Sequence, residues 1–150
     1  MIAYDSVEVG TELPTVNVVL RRDALVRYAG ASGDFNPIHW NTRAATALGL
    51  PDVIAHGMLS MASGARVLTD WVGDPARVLE YSVRFTNPVV VPDTDEGVTV
   101  TFTGKVVDRA GESAVRVDLT AIAATPGDED AGRSGGDKVL GAARAIVRLD

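Results

Sequence analysis

The stretch "GDFNPIH", residues 33–39, places a carboxylate, an amide and an imidazole on Asp34, Asn36 and His39. A carboxylate and an imidazole within reach of one substrate can move protons in opposite senses, while a neighbouring amide orients either group or a water molecule. Four residues separate Asp34 from His39. A helix sends side chains at that spacing to different faces, so convergence requires a loop. Gly33 opens backbone angles closed to other residues, and Pro37 removes freedom just ahead of His39. The same residue types also build ordinary turns and helix caps. Residue chemistry alone therefore leaves two readings, a preorganised acid-base pair or an elaborate turn.

The rest of the composition narrows the chemistry. Cysteine is absent from the 150 residues, which excludes thiolate nucleophiles, disulfides and cysteine metal sites. Two histidines leave little for a metal, so neither a metal nor another cofactor is expected. With 14 basic against 20 acidic residues, a net charge of -6 and no cluster of Lys or Arg, the chain lacks the electrostatic footprint of a nucleic-acid binder. A hydrophobic content of 46% over 150 residues suits one domain, residues 1–150, with a sizeable core. No run approaches the roughly 18 apolar residues of a membrane span. The N-terminus "MIAYDSVEVGTELP" lacks the basic flank and apolar core of a signal peptide, so a soluble cytoplasmic protein is expected.

Helical spacing of Leu25, Val26, Tyr28 and Ala29 predicts a short helix over 22–31 that exits through Gly30 and Gly33. An ordered loop follows to Trp40, then a second short helix capped by Asn41 or Thr42 and stopped at Gly49. Met58, Met61, Ala62, Ala65, Leu68 and Val72 recur at i, i+3, i+4, i+7, predicting a longer helix over about 57–71. Its other face is mostly Ser, Gly and Ala, so it should be enclosed by other structure, with Met58, Leu59 and Met61 in the core. Beyond Pro75 the period falls to 2. Leu79, Tyr81, Val83 and Phe85 alternate with polar residues, as do Val98, Val100, Phe102 and Val106 and then Val115, Val117, Leu119 and Ala121. Val139, Gly141, Ala143, Ala145, Val147 and Leu149 share one further face, and an earlier strand is expected over 15–20. "DRAGES" reads as a hairpin loop, and residues 125–137 read as a long polar excursion. A buried helix followed by antiparallel strands implies an α+β layer fold, with a curved sheet covering the helix.

"YAGASGDFNPIH", with Ala45 six residues after His39, resembles the signature of the MaoC-like (R)-specific hydratases and dehydratases of enoyl thioesters. The likeness runs from about residue 4 to the C-terminus; "NPIHW", "IAHGMLSM", "WVGDP" and "VRFTNPVVVP" are similar to the B-type catalytic subunits of mycobacterial (3R)-hydroxyacyl-carrier-protein dehydratases. Ala31 departs from the larger aliphatic residue or glycine usual in the signature, a difference of packing rather than chemistry. The resemblance implies a single hot-dog domain, an antiparallel sheet wrapped around a long central helix. It also implies catalytic roles for Asp34 and His39, an orienting role for Asn36, and a thioester-binding backbone amide at Gly57. That last role has its own physical basis, since free N–H groups at a helix start stabilise negative charge. His56 and Met58 are expected beside the site, His56 in capping or orientation and Met58 along an acyl tunnel.

The function implied is dehydration of (3R)-hydroxyacyl thioesters on acyl carrier protein in type II fatty-acid synthesis. Two others stand beside it: an (R)-specific enoyl-coenzyme A hydratase and a noncatalytic acyl-binding subunit. The partners implied are an acyl thioester and a second hot-dog subunit, either another copy or a motif-less A-type chain. Arg84, on the polar face of its strand, is the candidate contact for a carrier phosphate, although strand alternation alone accounts for it.

Overall fold

A computed structural model of the chain describes residues 2–124 and 136–150. The alternating segments form five strands: β1 (Glu12–Leu20), β2 (Val78–Phe85), β3 (Val98–Arg109), β4 (Ala114–Ala123) and β5 (Asp137–Arg148). They build one antiparallel sheet in the order β1-β3-β4-β5-β2. Before β2 come α1 (Arg22–Ser32), α2 (Thr42–Ala47) and α3 (Gly57–Val72), so α3 arises where the helical period was expected and the sheet covers it. This is the hot-dog arrangement. Gly111, at φ 93°, turns the β3–β4 hairpin, and the Ala110 N–H closes it on the Ala114 carbonyl at 2.8 Å. Apart from Gly136 and Asp137, the expected polar excursion over 125–137 lies outside the described residues.

The face that α3 turns to the sheet matches its apolar spacing at Leu68 and Val72 and departs from it over the first two turns. Ser60, Ser63, Gly64, Val67, Leu68 and Val72 are buried, whereas Ala62 is exposed and Met58 is 55% exposed. The reason is proximity. A Cβ on Gly64 would stand 2.8 Å from the Tyr81 hydroxyl and 3.2 Å from the Phe102 ring, and one on Gly104 of β3 would stand 3.0 Å from Val67. Helix and sheet meet through glycines on both sides, so the bulk in the contact comes from Tyr81, Phe102 and Val67. Met58 is consequently not a core residue, as its spacing had suggested; Leu59 and Met61 are half-buried.

Strand β2 also departs from simple alternation. Tyr81 and Val83 turn inward, but Leu79 and Phe85, expected on the same face, are 54% and 50% exposed. β2 is an edge strand whose pairing with β5 shifts register twice, between Val78 and Glu80 and between Ser82 and Arg84, and each shift re-aims the residues around it. The second shift lies opposite Ala142, whose φ of 45° marks a bulge in β5. That bulge buries Val139, Leu140 and Gly141 consecutively, where alternation would have exposed Leu140.

Candidate active site

Residues 33–40 are held as a rigid turn. Helix α1 ends at Gly33, which takes φ 76° and ψ 5° and whose N–H reaches the Ala29 carbonyl at 2.9 Å. The Asn36 N–H donates to the Asp34 carboxylate at 3.2 Å, and the Asn36 side-chain oxygen accepts from the Ile38 N–H at 3.3 Å. Pro37 opens a 3₁₀ turn, Pro37–His39, and the Trp40 indole N–H donates back to the Phe35 carbonyl at 3.0 Å. Asn41 then caps α2 by accepting from the Ala44 N–H at 3.1 Å. Asn36 therefore shapes the turn that presents its neighbours.

The segment 53–55 anchors this turn to the body. The Ile54 N–H donates to the Ile38 carbonyl at 3.2 Å, the Ala55 N–H to Val89 at 2.8 Å, and the Val91 N–H to Val53 at 2.9 Å. Asp52, just before it, accepts from Arg22 of α1 and Thr42 of α2, both at 2.8 Å, while Arg22 also donates to the Val91 carbonyl at 2.7 Å. Burial disfavours the Asp52 charge, but hydrogen bonds from Thr42 and the Val53 amide, together with Arg22, hold its carboxyl below the ordinary range.

His39 is buried, and its Nδ1 lies 2.7 Å from the Ile54 carbonyl oxygen. A carbonyl only accepts, so Nδ1 carries the proton and Nε2 of the neutral ring keeps its lone pair. Nε2 lies 3.9 Å from Asp34 Oδ2. The separation exceeds a direct hydrogen bond and suits a water or hydroxyl held between the two groups. Asp34 is 51% exposed at its side chain, so the pair is buried on the imidazole side and open on the carboxylate side.

His56 sits behind the pair. Its ring stacks on His39 with centroids 3.8 Å apart and planes inclined by 24°, and its Nε2–H donates to the Asp34 backbone carbonyl at 3.1 Å. Burial, aided by the neighbouring His39 ring, holds its imidazole below the ordinary histidine range, against the opposing pull of Asp34. The capping role expected of His56 is not what it performs: it occupies the cap position of α3 without a side-chain cap bond.

The first turn of α3 thus lacks a side-chain cap, leaving amide N–H groups free to meet an anion. Gly57 opens that turn and lines a cavity of about 290 Å³ with His39, Ile54, Ser60, Phe85 and Val89. The space is at the lower end of small-ligand pockets and mostly apolar. Phe85 packs on Gly57 so closely that a Cβ there would lie 3.1 Å from its ring. Of the residues singled out from sequence, His39 and Gly57 line this cavity, Asp34 stands against His39 at its side, and Asn36 and His56 support from outside. Met58 points away from it, largely to solvent.

Two participants escaped sequence reading. The Ile54 carbonyl sets the His39 tautomer, but backbone acceptors carry no residue signal. Alternation alone puts Phe85 on the inward face; its position beside the long "NPVVVP" loop, where a strand ends, is the available signal that it faces elsewhere.

The ligating atoms of Asp34, His39 and His56 lie within 4.8 Å of one another. Hydrogen bonding disfavours a metal centre here: Nδ1 of His39 and Nε2 of His56 both carry protons toward carbonyls. Each ring thus commits one of its two nitrogens to a carbonyl rather than to an ion.

Comparison with known proteins agrees with this geometry. The family model described as the MaoC like domain matches residues 6–123. The 3-hydroxyacyl-thioester dehydratase X of Mycobacterium tuberculosis is 44% identical over 85 residues, covering 55% of this chain and 29% of the relative. A solved MaoC-like dehydratase is 41% identical with a TM-score of 0.88 over 99% of this chain and 42% of its own. The (R)-hydratase PhaJ1 of Pseudomonas aeruginosa superposes with a TM-score of 0.77 at 25% identity, over 99% of this chain and 86% of its own. The ChsH1-ChsH2 complex of Mycobacterium tuberculosis shares the fold, with a TM-score of 0.74 at 22% identity over 95% of this chain and 98% of the matched one. The chain spans less than half the length of the first two of these proteins. Among the described residues, no helix is long and apolar enough to cross a membrane.

Proposed function

The chain belongs to the MaoC-like domain family, and from that premise we propose that it is a hydro-lyase interconverting (3R)-hydroxyacyl and trans-2-enoyl thioesters. The observation that carries the proposal is the His39 tautomer: with Nδ1–H on the Ile54 carbonyl, Nε2 is a free base beside Asp34 and within the cavity that Gly57 opens. In dehydration, His39 Nε2 takes the proton alpha to the thioester carbonyl. The Gly57 N–H holds the enolate-like oxygen, where an apolar cavity strengthens the interaction. Asp34, which enters this direction of the cycle as the carboxylic acid, donates its proton to the hydroxyl, which leaves as water when its carbon–oxygen bond breaks. One proton gained on His39 balances one lost from Asp34, and its return through a bridging water restores the pair. Hydration runs the steps backwards.

The substrate read here is an acyl chain on acyl carrier protein, in cytoplasmic fatty-acid synthesis, and the partner a second hot-dog subunit. The relative named a 3-hydroxyacyl-thioester dehydratase supports the chemistry, and the fold neighbour described as a two-component complex supports pairing. The test is enoyl-thioester hydration by this chain, alone and coexpressed with a candidate A-type subunit, on matched carrier-protein and coenzyme A substrates. The proposal expects turnover that falls by two or more orders of magnitude in Asp34→Asn. Preference for coenzyme A would move the reading to a hydratase; binding without turnover, even with the partner, would leave only an acyl-binding subunit.

A further inference from the structure

The acid-base chemistry assigned to Asp34 and His39 does not by itself require His56, yet His56 is 1% exposed and wedged against both. One face of its ring meets His39, and Tyr28 packs against it at 4.8 Å with planes inclined by 57°. Its Nε2–H is committed to the Asp34 carbonyl, and its Nδ1 has no partner among the described residues. A second proton on Nδ1 would bury a cation without an acceptor, so the ring is neutral and serves as a donor.

Asp34 needs such a hold. Its other hydrogen bonds are local: its N–H reaches Ser32 Oγ at 3.2 Å, and its carboxylate receives the Asn36 N–H at 3.2 Å. The bond from His56 ties it to a residue 22 positions away, at the start of α3. That same helix start supplies the Gly57 amide. One side chain thus touches the backbone of the carboxylate residue, the ring of the imidazole and the element carrying the oxyanion donor.

We propose that His56 is a positioning residue, whose Nε2–H on the Asp34 carbonyl fixes the carboxylate against His39 at the gap that one water or substrate hydroxyl bridges. This rests on the hydro-lyase reading. Displacement of a reacting group by about 1 Å costs on the order of 100-fold in rate, which sets the scale expected here.

Two variants separate the donor from the ring. His56→Phe keeps an aromatic face on His39 and removes the N–H; His56→Gln places an amide N–H near the former Nε2 and removes the ring. In the hydration assay His56→Phe should lower kcat about 30- to 100-fold with KM within about threefold. His56→Gln should recover at least about tenfold of that loss, since the donor returns. Circular dichroism and thermal melts confirm that both fold. Near-normal kcat in folded His56→Phe, a loss expressed in KM, or equal impairment in both variants would overturn the proposal. A readout independent of turnover comes from the chain having only two histidines. Long-range nitrogen–proton NMR of the imidazoles should show His39 protonated at Nδ1 and His56 at Nε2, with the Asp34 carbonyl carbon shifted in His56→Phe. A wild type that hydrates no enoyl thioester refutes the hydro-lyase reading instead, and the spectrum still decides whether His56 holds Asp34; an Nδ1–H tautomer at His56 would show that it does not.

Discussion

Replacing His39 in two ways separates its base from its anchor. Its Nδ1–H satisfies the Ile54 carbonyl at 2.7 Å, whereas Nε2 faces Asp34 across 3.9 Å. Asn sets its amide nitrogen close to where Nδ1 stands, so His39→Asn keeps the bond to Ile54 and deletes the base. His39→Ala deletes both and removes the surface on which His56 stacks. Leaving a buried carbonyl without a donor costs about 1–3 kcal/mol. At about 2–4 °C per kcal/mol for a chain of this size, His39→Ala should melt roughly 2–12 °C below His39→Asn. Both variants should lose about 100- to 10,000-fold in enoyl-thioester hydration, the range a positioned general base supplies. Differential scanning calorimetry and a spectrophotometric assay at the enoyl absorbance provide the two numbers. His39→Asn retaining a tenth or more of the turnover would refute Nε2 as the base. Equal melting temperatures for the two variants would refute the Ile54 bond as what sets the tautomer.

Asp52 predicts a pH-dependent stability. Its carboxyl is held below the ordinary 3.8, so its contribution is complete above that value and is lost as pH falls through its lower folded-state pKa. Asp52→Asn should therefore melt lower than wild type at neutral pH, with the gap narrowing below about pH 4; a gap constant with pH would refute the charged network. Phe85, half-exposed against Gly57, limits the room beside the Gly57 backbone. Phe85→Ala should raise kcat/KM for an alpha-methyl enoyl thioester relative to its straight-chain counterpart, measured by competition; an unchanged ratio would remove Phe85 from the substrate path. Gly97, at φ 69°, has no space for a Cβ, which would run into the Leu20 carbonyl. Gly97→Ala should cost about 1–3 kcal/mol or more from backbone strain, read as a fall in Tm, while kcat of the folded fraction stays unchanged.

Much of this was legible in the chain because local signals agreed. Gly33 and Pro37 mark a turn, Asn41 marks a cap, and Gly49, at φ 82°, follows α2 where the helix was expected to stop. The alternation in β3 and β4 placed Val100, Phe102, Val115 and Val117 in the core correctly. Within the site, Asp34 and His39 stood out by residue type, and the structure brings them together. What stayed hidden depends on contacts between distant segments. The bulge at Ala142 adds Leu140 to a buried face that otherwise alternates as read, and an alanine at that position carries no signal for its positive φ. His56 read as a capping or orienting residue because it precedes a helix, whereas its partners, Asp34 and His39, come from a turn that sequence cannot dock against it.

The misread face of α3 explains where the cavity lies. Apolar spacing identifies a buried face only when the partner surface leaves room for bulk, and here the sheet supplies the bulk. Gly64 lies under Tyr81 and Phe102, and Val67 lies over Gly104, so small residues on one layer receive large residues from the other along the middle of the helix. Gly57 repeats the pattern at the first residue of the helix, with Phe85 as its large partner. Phe85, however, terminates an edge strand and is half-exposed, so among the described residues no further strand closes the layer beyond it. The packing scheme that fills the core at Gly64 runs out at Gly57, and the unfilled remainder is the space lined by His39, Ser60 and Val89. A helix start without a side-chain cap, adjoining apolar walls and a free imidazole nitrogen is thereby a consequence of how the layers end. For the same reason the glycine at position 57 serves two ends at once: it admits the Phe85 ring, and it leaves its amide unobstructed toward the cavity.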